Sequence, residues 1–351
     1  MAGMLYQTYM KFSPISLPPP NVFSGQTAVV TGGTSGLGLA SAAHLINLGA
    51  TEVIISSRNP SRSQKALEEL RKITGGKSKD KIRVLELDMD SYASVVEFAK
   101  KVKEIKTGNG GVDIVILNAG TIGVEPKITE EGWEQNIQVN TLSTTLLAVL
   151  LLPHMKAERV NRSSPTHLSI VGSMRFADPN ISEWAKWTTE NGKGVLEHLS
   201  KPENWSSGNA MYAGTKLLVT YAFRELVERA RGSDGRPEVI LNILCPGIVT
   251  TDLSRNFQDK GAIFIVAIFL FTTLFGKSPE NGARTYMASV TTTESDHGRF
   301  IQFYKNEKQL KSLEDKVLTS EVGRRMQAQV WKEITGELVA KVPDTREFLV
   351  V

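Results

Sequence analysis

Cysteine is almost missing from this chain: among 351 residues only Cys245 carries a thiol. An intrachain disulfide and a cysteine-based metal site are therefore excluded, and a reducing compartment suits the chain. No block of one charge sign occurs either. The 41 basic residues exceed the 37 acidic ones by four, and the signs alternate along the chain, which removes the electrostatic argument for a nucleic-acid partner. A membrane-spanning run is also lacking. The longest apolar stretch, 262–275 (AIFIVAIFLFTTLF), has 14 residues, short of the about 20 that a spanning helix needs. Met1 to Pro20 shows no apolar segment with a small-residue cleavage site, and Pro18-Pro19-Pro20 reads as an extended arm. A cytoplasmic location is expected on these grounds, with peripheral membrane contact as the alternative.

What is present is an ordinary globular composition, 41% hydrophobic and 22% charged, able to build a sizeable core. Short apolar, β-branched runs alternate with helical patterns. Strands are expected at 26–31, 52–56, 82–87, 112–117, 166–171 and 238–244, and helices at 38–48, 61–73, 91–105, 129–155, 211–231 and 321–339. Near-continuous apolar strands between amphipathic helices imply a parallel sheet covered on both faces. The expected fold is α/β, a doubly wound parallel sheet of Rossmann type, with its ligand crevice at the carboxyl ends of the strands. No composition break marks a second domain: residues 1–25 read as an arm and 26–351 as one domain.

After the first strand comes Thr31-Gly32-Gly33-Thr34-Ser35-Gly36-Leu37-Gly38. Glycines at a strand-to-helix turn permit positive φ and close backbone approach to a pyrophosphate, which the helix N-terminus then stabilises. A glycine-rich turn without a ligand is the alternative. The spacing G-x-x-x-G-x-G differs from the usual G-x-G-x-x-G dinucleotide fingerprint.

With that pattern the chain resembles the short-chain dehydrogenase/reductase family. Further matches follow in order: Asp88 after the third strand, Asn118-Ala119-Gly120 after the fourth, Asn140 in the long helix, Ser173 after the fifth, Tyr212-x-x-x-Lys216 opening the next helix, and Pro246-Gly247-Ile248-Val249-Thr250-Thr251 after the sixth. The resemblance covers about 26–251 firmly and the remainder loosely. It implies that Thr34, Ser35, Gly36 and Leu37 cradle the cofactor phosphates, that Asp88 and Met89 meet the adenine, and that Asn118, Ala119 and Gly120 pack against the adenosine ribose. It also implies that Lys216 bonds the nicotinamide ribose, that Asn140 holds a water linking the lysine to solvent, and that Gly247, Val249 and Thr251 face the carboxamide.

The chemistry can be argued from the residues themselves. Four positions apart on a helix, Tyr212 and Lys216 share one face. The ammonium is expected to lower the phenol pKa, making Tyr212 a general acid or base, while Ser173 donates to the same substrate oxygen. Cofactor choice turns on the end of the second strand. Ser56-Ser57-Arg58 offers no acid for a ribose 2′-hydroxyl, and Arg58 suits a 2′-phosphate, so NADP(H) is expected; an Arg58 that simply points into solvent is the alternative. His154, His167 and Cys245 show no metal-ligand spacing and read as structural or incidental.

The surplus length lies beside the crevice, as insertions at 174–211 and 252–300 on the substrate side. Ser173 and Tyr212 stand 39 positions apart, farther than in compact members of that family, and the segment between them carries Trp184, Trp187 and Trp205. It forms either a pocket wall or a structural cap or subunit contact. Lys277-Ser278-Pro279-Glu280-Asn281-Gly282-Ala283 is similar to the retinol-dehydrogenase-like branch. The run at 262–275 takes the place of the family's substrate lid; a lid, a membrane contact and plain core are the three readings, in that order. The expected activity is NADPH-dependent reduction of a ketone or aldehyde on a hydrophobic small molecule, of the kind met in fungal polyketide tailoring. Alcohol oxidation on the same residues and a nucleotide-binding module without turnover are the alternatives, and the resemblance implies a homodimer through the helices of Asn140 and Tyr212, contacts that the helical segment at 321–339 would either block or extend.

Overall fold

The computed structural model describes residues 9, 11–107, 110–190, 194–250 and 275–350. Thr251 and all of the 262–275 run except Phe275 lie outside these described residues, so neither expectation is taken further. Seven strands form one sheet in the order β3-β2-β1-β4-β5-β6-β7: β1 (Thr27–Val30), β2 (Glu52–Ser57), β3 (Ile82–Glu86), β4 (Ile114–Leu117), β5 (Thr166–Val171), β6 (Val239–Leu244) and β7 (Phe300–Ile301). Every pairing is parallel. In β1, β4 and β6 every residue is buried, as unbroken Val/Ile/Leu runs covered on both faces must be. The strand order reverses between β1 and β4, and there the two loops diverge to leave a crevice.

Helices α1 (Gly36–Asn47), α2 (Pro60–Ile73), α3 (Tyr92–Lys103), α4 (Thr144–Ala157), α5 (Ile181–Glu190), α6 (Val195–Ser200), α7 (Gly208–Arg229), α8 (Pro279–Ser289), α9 (Glu307–Glu314), α10 (Glu321–Lys341) and α11 (Arg346–Leu349) complete the described layers. The core divides at the sheet. One cluster joins β-strand side chains to α3, α4, α7 and α10, and the other joins them to α1 and α8. Residues of the N-terminal arm dock on α8, where Asn281 Nδ2 donates to Lys11 O and Arg284 Nη1 to Ile15 O.

The long helix starts later than 129. Gly132 takes φ +93°, the Thr129 amide donates back to Trp133 O, and the Glu134 carboxylate caps the Asn136 and Ile137 amides. A capping acid therefore fixes the start at Gln135. Gln138–Ser143 is π-helical, with Thr144 Oγ1 drawn to Val139 O, and regular α-helix resumes in α4. The apolar stretch Gln135–Asn161 is long enough to cross a membrane, but most of it is buried inside the protein; it is a core helix.

The 174–211 insertion folds into a short 3-10 turn (Met174–Ala177) followed by α5 and α6. Its aromatics face the protein body: Trp184 is buried, its ring centroid lies 6.0 Å from that of Trp187, and Trp187 stacks on His198 at 3.7 Å. The C-terminal helix holds the insertion down. Both carboxylate oxygens of Glu333 on α10 accept the first amides of α6, Val195 N at 3.0 Å and Leu196 N at 2.9 Å. The same helix covers α7, where Arg229 lies over the Trp331 ring and Arg224 Nε donates to Gln327 Oε1. Glu333→Ala orphans both α6 amides and is expected to lower stability by about 1–2 kcal/mol in urea denaturation. Hydrogen exchange at Val195 and Leu196 should accelerate more than exchange in α7; equal acceleration would place the restraint elsewhere.

Candidate active site

The crevice at the carboxyl ends of β1 and β4 is lined by Gly32, Thr34, Ser35, Gly36, Leu37 and Gly38, by Arg58 and Met89, by Asn118, Ala119 and Gly120, and by Ser173, Tyr212, Lys216, Gly247 and Val249. Two expected residues are not on its wall: Asn140, and Asp88, which is half-buried beside it. Sequence reasoning did not single out Arg62, Gln135 or Tyr286, which also line it.

The glycine turn is held from behind. Thr31 Oγ1 accepts the amides of Asn118 at 2.9 Å and Ala119 at 3.0 Å, and Asn118 Nδ2 donates to Thr31 O at 2.8 Å. Gly32 N is taken by Ser56 Oγ at 2.9 Å, and the Tyr286 hydroxyl donates to Asn118 Oδ1 at 2.8 Å. A Cβ at Gly38 would run into Gly32 O and stand 2.7 Å from Asn118 Nδ2, so only glycine lets α1 approach the turn. Gly32 and Gly36 both take positive φ, +65° and +54°. Ser35 at the N-cap makes no side-chain cap bond, whereas Asn59 and Ser91 cap α2 and α3. The first amides of α1 are thus left for a ligand anion, with the helix dipole behind them. These features fit a dinucleotide, whose pyrophosphate would meet α1.

At the adenosine end, Arg58 is exposed and its Nη1 reaches Asp88 Oδ1 at 3.4 Å and Asp90 Oδ2 at 3.3 Å. Exposed pairs of this length are weak, which leaves the guanidinium able to turn to a stronger anion. Asp88 Oδ1 also accepts the Asp90 amide.

At the opposite end, Ser173 ends the β5 loop and its Oγ accepts the Arg175 amide at 3.3 Å. Arg175 in turn donates to Asp178 and to Asn209 at the start of α7, which ties the turn after Ser173 to the helix that carries Tyr212. Lys216 is buried, and its Nζ donates to Val171 O at 2.7 Å and lies 5.5 Å from the centroid of the Tyr212 ring. The phenol pKa is not lowered, as the lysine was expected to make it. Burial pushes it well above its usual range, with the Cys245 thiol adding to the rise; the Ser173 hydroxyl and the Arg175 charge oppose the rise only in part. Burial also lowers Lys216, to about 8. Removing water disfavours both charged forms, and that outweighs the attraction expected between them.

Asn140 sits in the π-helical segment. Its Oδ1 accepts Thr121 N at 2.9 Å, and its Nδ2 donates to Thr121 O at 2.9 Å and Thr215 Oγ1 at 3.1 Å. The side chain ties the loop after β4 to α7, a positioning geometry. Cys245 does not stand apart: it lines the crevice, and its sulfur accepts the Met174 amide at 3.4 Å. None of the insertion's tryptophans is on the crevice wall among the described residues; Trp184 and Trp187 serve the cap.

A doubly wound sheet with a glycine cradle and a Ser-Tyr-Lys group at its switch point defines a nucleotide-dependent oxidoreductase. The family model described as short chain dehydrogenase matches residues 26–171. The short-chain dehydrogenase/reductase ffsI of Aspergillus flavipes is 32% identical over 331 residues, 94% of this chain and 91% of that one. The short-chain dehydrogenase/reductase phmF of Phaeosphaeria nodorum is 30% identical over 341 residues, covering 97% and 94%. The Pseudomonas aeruginosa RhlG/NADP active-site complex shares the fold at a TM-score of 0.57 and 20% identity, with 81% and 97% covered. The chain belongs to the short-chain dehydrogenase/reductase family, whose members use NAD(P).

Gly38→Ala is expected to weaken dinucleotide binding by at least about tenfold through the displaced turn, with about 1–3 kcal/mol of destabilisation. Isothermal titration beside a thermal melt separates the two effects, and unchanged affinity would mean that α1 need not approach Gly32.

Proposed function

We propose that the chain reduces a ketone or aldehyde on a hydrophobic small molecule with NADPH. The observation that carries this reading is the crevice wall on which Ser173, Tyr212 and Lys216 meet: a phenol that its surroundings keep protonated is equipped to give its proton to a developing alkoxide. A reduced nicotinamide bound in the crevice would supply the hydride. Ser173 Oγ, already accepting from the Arg175 amide, retains its own hydrogen to donate to the carbonyl oxygen. Lys216, hung from Val171 O, holds a positive charge near the phenol and favours its ionised form once the proton has left. Asn140 keeps the loop after β4 and α7 in register.

The cofactor assignment is supported by two crevice arginines, Arg58 and Arg62, and by the lack of an acid at the end of β2. Arg58→Ala should raise the NADPH dissociation constant about tenfold and leave that of NADH within about twofold, as removal of one charged phosphate contact requires. Equal loss for both cofactors would point to a collapsed loop. An apolar substrate is supported by the 262–275 run following the Pro246–Val249 turn in sequence, and the fungal sources of the relatives support a tailoring role in secondary metabolism. We also propose a homodimer, with α10, which packs on α7 through Arg229 and Arg224, as part of its surface; sedimentation tests it, and a monomer would remove it.

A panel of apolar ketones and aldehydes, followed through NADPH absorbance with NADH as control, tests the function. Tyr212→Phe should lower turnover by about a hundredfold or more. Turnover equal to wild type in that variant, or no consumption with any carbonyl, would overturn the reading. NADPH capture should decline as pH rises through about 8, because Lys216 then loses its charge.

A further inference from the structure

Lys277 is a buried cation that the chemistry above leaves unused. It is 4% exposed, its Nζ donates to Pro246 O at 3.2 Å, and it lies 5.7 Å from the centroid of the Tyr304 ring. The Tyr304 hydroxyl donates to Cys245 O. The backbone is anchored at the same place: Lys277 N donates to Ile248 O and Thr250 N to Lys277 O, with Val249 and Lys277 forming a parallel bridge. A Cβ on Gly247 would stand 3.5 Å from Nζ, so the charge lies directly behind the turn that presents Pro246, Gly247 and Val249 to the crevice.

No described carboxylate forms an ion pair with this ammonium. Its neighbours among the described residues include a carbonyl, an aromatic face and the Cys245 thiol, and burial lowers its pKa. An ammonium without a carboxylate partner among the described residues is costly to bury, and a methionine would fill similar space at no electrostatic cost. Its effect is a positive potential at the end of the crevice that holds Ser173 and Tyr212, added to that of Lys216, whose partner is likewise a carbonyl.

We propose that Lys277 selects the redox state of the bound nicotinamide: from behind the Pro246–Val249 turn its charge favours the reduced, uncharged ring over the oxidised ring, which carries a positive charge. This rests on the reading that the crevice takes a nicotinamide dinucleotide, and on neither the 2′-phosphate nor the carbonyl substrate. Unit charges within about 10 Å still interact by more than thermal energy at an effective dielectric near 20. The phosphates and riboses are common to both redox states and cancel in the ratio of their affinities. The bias works in the direction of reduction, since it captures the reduced cofactor and releases the oxidised one.

The test is the ratio of dissociation constants for NADP+ and NADPH, measured without substrate by quenching of tryptophan fluorescence. Wild type, Lys277→Met, Lys277→Gln and Lys277→Arg are compared. Wild type should bind NADPH several-fold more tightly. Either neutral variant should narrow the ratio by about fivefold, the size expected of one screened charge, and Lys277→Arg should preserve it. A residue that only braces the turn would weaken both states together, and an unchanged ratio in a folded neutral variant overturns the proposal. So does a wild-type protein that binds NADP+ as tightly as NADPH, a result that needs no variant to fold. If only NAD+ and NADH bind, the same ratio is read with them, so failure of the NADPH assignment leaves this inference standing or falling on its own. Binding of neither pair overturns both.

Discussion

The junction of Thr31 and Asn118 is the constraint on which the crevice depends. At the switch point the loops after β1 and β4 turn away from each other, and each strand end leaves amides and carbonyls without sheet partners. One hydroxyl and one carboxamide satisfy them: Thr31 Oγ1 accepts two amides of the β4 loop, and Asn118 Nδ2 donates to the end of β1. Because Asn118 Oδ1 also receives the Tyr286 hydroxyl, α8 is joined to the same point. The cradle, the β4 loop and the second core cluster are therefore joined at one point, the kind of fixed support that a backbone-built anion site requires. A cradle that flexed would lose the aligned amides on which its affinity depends.

The two ends of the crevice use charge differently. At the adenosine end the cation is exposed and lightly held by two carboxylates, so an incoming anion can compete for it. At the other end the cations are buried and held by carbonyls, Lys216 on Val171 and Lys277 on Pro246. Exposed charge gives attraction that salt can screen, and buried charge gives a standing potential that it cannot. Binding and chemistry are thereby separated along one groove.

Six of the seven strands and most of the crevice wall were legible in the sequence, because most wall residues lie where an apolar run gives way to Gly, Asn, Ser and Pro or in the helix-borne Tyr212–Lys216 pair; the two-residue β7 (Phe300–Ile301) is too short to leave such a pattern. Gly38 and Asn118 are examples in which the residue type itself states the need. Tyr286 was not legible. It meets Asn118 from 168 positions away, and nothing in the pattern of α8 distinguishes a tyrosine that packs from one that reaches a hub. The start of the long helix was misplaced because a buried glutamate, Glu134, takes the cap position usually filled by a short side chain. The tryptophans of the insertion were ambiguous for a related reason: an aromatic cluster reads the same whether it faces a ligand or its own protein, and only the stacking of Trp187 on His198 tells which.

The direction of the Tyr212 shift could not be read from spacing either, and it bears on the chemistry. An i, i+4 pair states that two groups share a helix face; it says nothing of how much water they lose. Here desolvation dominates both, raising the phenol and lowering the ammonium to about 8. The ordinary order of basicity, lysine slightly above tyrosine, is thereby inverted. A phenolate left behind after donation is thus a stronger base than the neutral lysine near it, and a proton on Lys216 moves downhill toward Tyr212. In the proposed reduction the same burial would therefore favour return of a proton to Tyr212 once it has protonated the substrate oxygen.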